Sequence, residues 1–126
     1  MGALSIYLRN VAGGGLTFWC PGCKEVHTVW HGEGPGPRWG WNGDVINPTF
    51  TPSILVNFAR RLTEEEHARV MAGEDLSATV RMVCHSFVTD GRIQYLGDCT
   101  HELAGQTVSL VPMPKHIEAA AWTWST

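Results

Sequence analysis

The chain has 126 residues, 44% hydrophobic and 17% charged, which fits one globular domain with a small core and excludes a disordered chain. Its formal net charge of −3 weighs against broad nucleic-acid binding, which usually shows as a basic domain. No stretch approaches the ~18 apolar residues of a membrane span. Met1 to Arg9 lacks a basic region followed by a long apolar run, so no secretory leader is expected either.

Residues 3–9 alternate weakly and read as a first strand, broken by Gly13, Gly14 and Gly15. Leu16 to Trp19 then runs into Cys20-Pro-Gly-Cys23, and Val26 to Trp30 leaves it. Strand, knuckle, strand is the layout of a zinc-ribbon turn, where Gly and Pro supply the backbone angles the turn needs. Residues 32–48 form a long loop rich in Gly and Pro that carries Trp39, Trp41 and an Asn42-Gly43 turn. Residues 49–58 read as a strand, with Pro52 pushing its first part to a sheet edge or a bulge.

A helix follows over 64–72. Thr63 and Glu66 make a capping box, and Gly73 is a natural stop. Residues 79–89 and 92–97 flank Asp90-Gly91, the strongest short-range hairpin signal in the chain. A helical turn is expected at 100–104 and a last strand at 106–111. Residues 112–126, with Trp122 and Trp124, are a candidate docking tail. The expected fold is α+β and β-rich: a small antiparallel sheet with a zinc knuckle and one short helix, in a single domain over 1–126.

Four cysteines carry the clearest chemistry. Cys20 and Cys23 pair in the knuckle, and Cys84 and Cys99 bracket the hairpin. With a two-residue turn, Thr89 faces Arg92, Cys84 faces Gly97, and Cys99 becomes a diagonal neighbour of Cys84. Two thiolate pairs then make a tetrahedral Zn²⁺ site of Cys20, Cys23, Cys84 and Cys99. Three histidines, His27, His85 and His101, are each placed to replace a thiolate, and His101 is the strongest substitute. A reducing cytosol, the default location for this chain, favours metal over disulfide.

The same register sets His85 and Asp98 together on the opposite face. His85, Asp98 and His101 are therefore candidate catalytic residues, with Asp98 able to orient an imidazole. Neither an HExxH nor an HxE…PCxxC signature is present, so a zincin or a zinc deaminase is not expected. Trp39, Trp41 and Asp44 are candidate binding residues, since aromatic side chains anchor interfaces. Turn chemistry and core packing account for them equally well.

The series FWCPGC, WNGD with PTFTPS, CHSFV before Asp90-Gly91, and GDCTHELAGQTV resembles a family of small proteins of tailed bacteriophages and prophages. The resemblance spans roughly residues 17–111. It implies a phage accessory protein acting in the host bacterial cytoplasm. Some members bear an ammonia monooxygenase label, but this chain has no membrane helix and no histidine array suited to copper. The first expectation is a zinc-stabilised protein that binds a bacterial host protein, with nucleic acid disfavoured by the acidic balance and no membrane partner expected. The alternative is a small zinc hydrolase using His85, Asp98 and His101.

Overall fold

The computed structural model describes residues 2–74 and 79–117. Trp122 and Trp124 of the candidate tail lie outside the described residues. The chain builds two antiparallel sheets. The first has four strands in chain order, β1 (Gly2–Ala3), β2 (Arg9–Val11), β3 (Gly15–Cys20) and β4 (Glu25–Trp30). The second has five, again in chain order: β5 (Gly40–Trp41), β6 (Phe50–Arg61), β7 (Thr79–Thr89), β8 (Arg92–Tyr95) and β9 (Thr107–Ser109). Helix α1 (Glu64–Met71) joins β6 to β7, and residues 115–117 are helical. Among the described residues, no helix is long and apolar enough to cross a membrane.

Period-2 patterning creates the core. On β7, Cys84, Ser86 and Val88 point inward, as do Ile93 and Tyr95 on β8. They meet Leu16, Phe18, Cys20 and Val29 from the first sheet in one apolar cluster. Each sheet thus buries one face against the other. Phe18 stacks on Phe50 across this layer, with ring centroids 6.0 Å apart.

The Asp90-Gly91 hairpin forms with the expected two-residue turn, pairing Thr89 with Arg92 and Ser86 with Tyr95. Both turn residues have positive φ, as this tight connection requires. The expected first strand over 3–9 is instead a turn. Ser5 Oγ accepts from the Tyr7 and Leu8 amides and donates to the Val45 carbonyl, folding the chain so that Leu8 enters the core. The strand around Pro52 is bulged as expected. Phe50 pairs with Val88 and Ile54 with Ser86, so residues 51–53 oppose only Phe87.

Helix α1 buries none of its residues, so its ends must hold it. Thr63 Oγ1 accepts from the Glu66 amide and Glu66 Oε1 accepts from the Thr63 amide, closing the capping box. The Arg60 guanidinium donates to the same carboxylate at 2.7 Å and holds Glu66 at about 2, well below its ordinary 4.5. A depressed carboxylate stabilises the fold above its unfolded pKa and loses that effect as pH falls through the folded one. Amide protection of α1, followed by NMR, is therefore expected to decline between about pH 4.5 and 2. Glu66→Gln, which keeps a capping acceptor, should flatten that decline.

Candidate functional site: a serine–histidine–aspartate constellation over a cysteine–histidine cluster

Strand β7 carries two kinds of chemistry on its two faces. Inward, Cys84 enters the cluster between the sheets. Outward, the neighbouring His85 faces away from the core. The alternation of a strand makes this unavoidable.

On the outer face, His85 bridges two side chains from distant elements. Its Nε2 lies 3.2 Å from Ser53 Oγ, and its Nδ1 lies 3.1 Å from Asp98 Oδ2. The carboxylate fixes the tautomer: Nδ1–H donates to Asp98, leaving the Nε2 lone pair for the Ser53 hydroxyl. Ser53 is presented by the β6 bulge, which takes it out of register with β7. Its carbonyl accepts from Trp39 Nε1 at 3.3 Å, so that tryptophan holds the bulge. Asp98 sits in a turn closed by the Cys99 amide on the Leu96 carbonyl. His85 is 26% exposed and Asp98 58%, so the constellation lies open on the sheet face.

On the inner face, ligand atoms of Cys20, Cys23, Cys84 and His101 all lie within 4.8 Å of one another. All four cysteines are free thiols. The knuckle is built for anionic sulfur. The Cys23 amide donates to Cys20 Sγ at 3.4 Å, and Tyr95 Oη lies 3.1 Å from the same sulfur while accepting from the Gly22 amide. Lys24 adopts positive φ and its amide closes the turn on the Cys20 carbonyl at 2.8 Å. Hydrogen bonds from Cys23 first, then Cys84, pull the Cys20 thiol far down. The bond with Cys20 pushes Cys84 far up and Cys23 up to about 12.

Two observations show that this cluster can hold a metal ion. His101 Nε2 is buried with no protein partner among the described residues, an arrangement that is costly unless something else binds it. Cys20 and Cys84 Sγ are 3.9 Å apart. Two sulfurs on one tetrahedral zinc, each at ~2.3 Å, lie about 3.8 Å apart. The His101 ring stands edge-on to Tyr95 at 4.5 Å and packs against Gly22, where a Cβ would collide with it. Gly22→Ala is expected to displace His101 and lower metal content, measured by elemental analysis of the purified protein.

The sequence put Cys99 in the ligand set, with His101 as the strongest substitute for a thiolate and, alternatively, as a companion of His85 and Asp98. The substitute is the one that joins the cluster. The β8 strand ends at Tyr95, and the turn at 97–98 interrupts the alternation that would carry Cys99 to the cysteine cluster. Cys99 instead grips the main chain of His85: its Sγ accepts from the His85 amide and donates to the His85 carbonyl, each at 3.2 Å. His101, after the turn, reaches the cluster. His85 and Asp98 meet as the hairpin register implied.

His27 is buried, edge-on to Phe18, and is one of the groups that lower the Cys20 thiol pKa. Trp41 Nε1 donates to the Asp44 carbonyl. The Asp44 carboxylate accepts from the Ile46 and Asn47 amides, which hold its pKa down. Trp41 and Asp44 thus brace the loop leading into β6. Ser53 was absent from the sequence candidates. Its one advance signal was Pro52, which forecast an irregular strand at that point.

One family model matches the chain, over residues 2–96; it is described as a bacterial ubiquitination-like system serine protease (BubE). Ser53, His85, Cys20, Cys23 and Cys84 fall inside the match, and Asp98 and His101 follow directly after it. No curated protein and no solved structure matches the chain.

Proposed function

The chain belongs to the BubE family of bacterial ubiquitination-like system serine proteases, and from that premise we propose that it is a serine peptidase whose nucleophile is Ser53. The observation that carries this reading is the pair of hydrogen bonds at His85, Nε2 to Ser53 and Nδ1 to Asp98. A catalytic triad is recognised by such geometry and roles, not by sequence order. The order here is Ser, His, Asp.

The chemistry follows from the tautomer. Ser53 Oγ attacks the substrate carbonyl carbon while His85 Nε2 takes its proton. Asp98 holds the imidazolium that results and remains ionised. As the tetrahedral intermediate collapses, His85 Nε2 returns that proton to the departing amine and an acyl ester forms on Ser53. Water then attacks the ester with His85 again as base, releasing the acid and restoring the hydroxyl.

The metal belongs to the scaffold in this reading. Cys20, Cys23, Cys84 and His101 would hold Zn²⁺ as a closed Cys₃His set, and when bound it supplies a cross-link with no position left for substrate. Such a link would tie the knuckle to Cys84, which adjoins His85, and to His101, three residues beyond Asp98. Four free thiols suit a reducing bacterial cytoplasm, where a ubiquitination-like system would supply the substrates.

The test is peptide cleavage. The zinc-loaded protein is incubated with a peptide mixture and new termini are mapped by mass spectrometry. Cleavage by the wild type that vanishes in Ser53→Ala supports the reading. Equal cleavage by Ser53→Ala contradicts it.

A further inference from the structure

The outer face of the five-stranded sheet carries side chains that the triad does not use. Leu55 pairs directly across from His85, and Phe87 lies two residues along β7, so both share the face of His85. Leu55 is 55% exposed and Phe87 40%. On the opposite face of these strands Ile54, Val88, Ile93 and Tyr95 are buried in the core; Val83, on the outer face, is half-buried. Among the described residues, these two apolar side chains beside His85 remain exposed mid-strand.

The charged side chains that the strands of this sheet place on this face are basic, while the triad's own Asp98 lies in the turn beyond β8. Arg81 lies four residues from His85 along β7. Arg92 pairs with Thr89, four residues from His85 in the other direction. Both are therefore about 13 Å from His85 along the strand, at the usual rise per residue. Both are exposed, and neither makes an ion pair among the described residues. The strand residues on this outer face include no Asp or Glu. In a chain of net charge −3, the strand residues that flank the triad on this face thus carry only basic charge, around an apolar centre.

We infer that the site takes an extended polypeptide segment with an apolar side chain beside the scissile bond, seated against Leu55 and Phe87, and acidic side chains about four residues away that meet Arg81 and Arg92. This deepens the peptidase reading and rests on it. An extended segment repeats its side chains on one face every ~6.6 Å, the same period as the strand beneath it. The open position of His85 and Asp98 admits such a segment. The triad itself sits on a face with no enclosing wall formed by its three residues, which suits a chain more than a small molecule.

The experiment uses the full zinc-loaded protein and fluorogenic peptides of one length. They differ only in Leu or Ser beside the cleaved bond, and in Glu or Lys four residues away. The wild type is expected to favour Leu over Ser by about 10-fold or more in kcat/KM, the usual worth of filling an apolar site. It is expected to favour Glu over Lys, with the preference shrinking as salt rises. Leu55→Ser with Phe87→Ser should erase the first preference, and Arg81→Glu with Arg92→Glu should reverse the second. Thermal melting and zinc content confirm that these surface variants fold.

Labelling of wild-type Ser53 by a small fluorophosphonate is run alongside. If Ser53 is labelled but the peptides are cut without preference, the substrate inference fails and the triad stands. If Ser53 is not labelled, both fail. If sedimentation shows that Leu55→Ser with Phe87→Ser turns a dimer into a monomer and leaves peptide preference intact, the face joins two copies of the chain and the inference is overturned.

Discussion

Ser53→Ala and His85→Ala are each expected to lower kcat by about 10⁴-fold or more, because nucleophile and base act as a unit. The double variant should be little worse than either single one, since removing one member already disables the other. Asp98→Asn is expected to keep the fold and still lower kcat by about 10³ to 10⁴-fold. The amide cannot hold Nδ1–H and stabilise an imidazolium as the carboxylate does. KM should move little in all three. These effects are read from steady-state kinetics on one peptide. A hydrolytic metal would give another pattern, with Ser53→Ala nearly silent.

With zinc proposed at the cysteine–histidine cluster, chelation is expected to unfold the protein. The cluster joins the β3–β4 knuckle to β7 and to the turn after β8, and no disulfide does that work. Structural zinc contributes about 10–16 kcal/mol in small peptides, comparable with the ~5–15 kcal/mol that holds a whole domain. Even a loss of ~4 kcal/mol lowers the melting temperature by about 15 °C in a chain of this size. Calorimetry with and without a strong chelator should show at least that shift, as should Cys84→Ser. Activity is expected to fall together with folded content, because His85 and Asp98 are positioned by the same strand and turn. Loss of activity at unchanged melting temperature would mark the metal as a reactant.

Much of this site was written in local signals. The Cys20–Cys23 knuckle, the Asp90-Gly91 turn and the capping box at Thr63 each follow from a few adjacent residues. Strand parity then placed Cys84 inward and His85 outward. What parity could not give was the exit from β8. The turn at 97–98 turns Cys99 away from the cluster and brings in His101, the substitute ligand, and a turn of this kind has no dipeptide signature as strong as Asp-Gly. Ser53 was illegible for a different reason. It meets His85 only through the bulged β6–β7 pairing, a contact between residues far apart in sequence, and no nucleophile motif surrounds it.

Four segments singled out in the sequence now have physical meaning. FWCPGC carries Cys20 and Cys23, PTFTPS carries Ser53, CHSFV carries Cys84 and His85, and GDCTH carries Asp98, Cys99 and His101. The sequence alone favoured a binding protein because no complete catalytic set was visible. The third member of that set comes from the bulge, and it shifts the reading to an enzyme.

The most direct measurement is covalent. The zinc-loaded wild type is treated with a fluorophosphonate and digested, and the adduct is located by mass spectrometry, with His85→Ala alongside. The triad predicts one adduct per chain on Ser53, and labelling slowed by at least about 100-fold in His85→Ala. An unmodified Ser53, or equal labelling in both proteins, would contradict it.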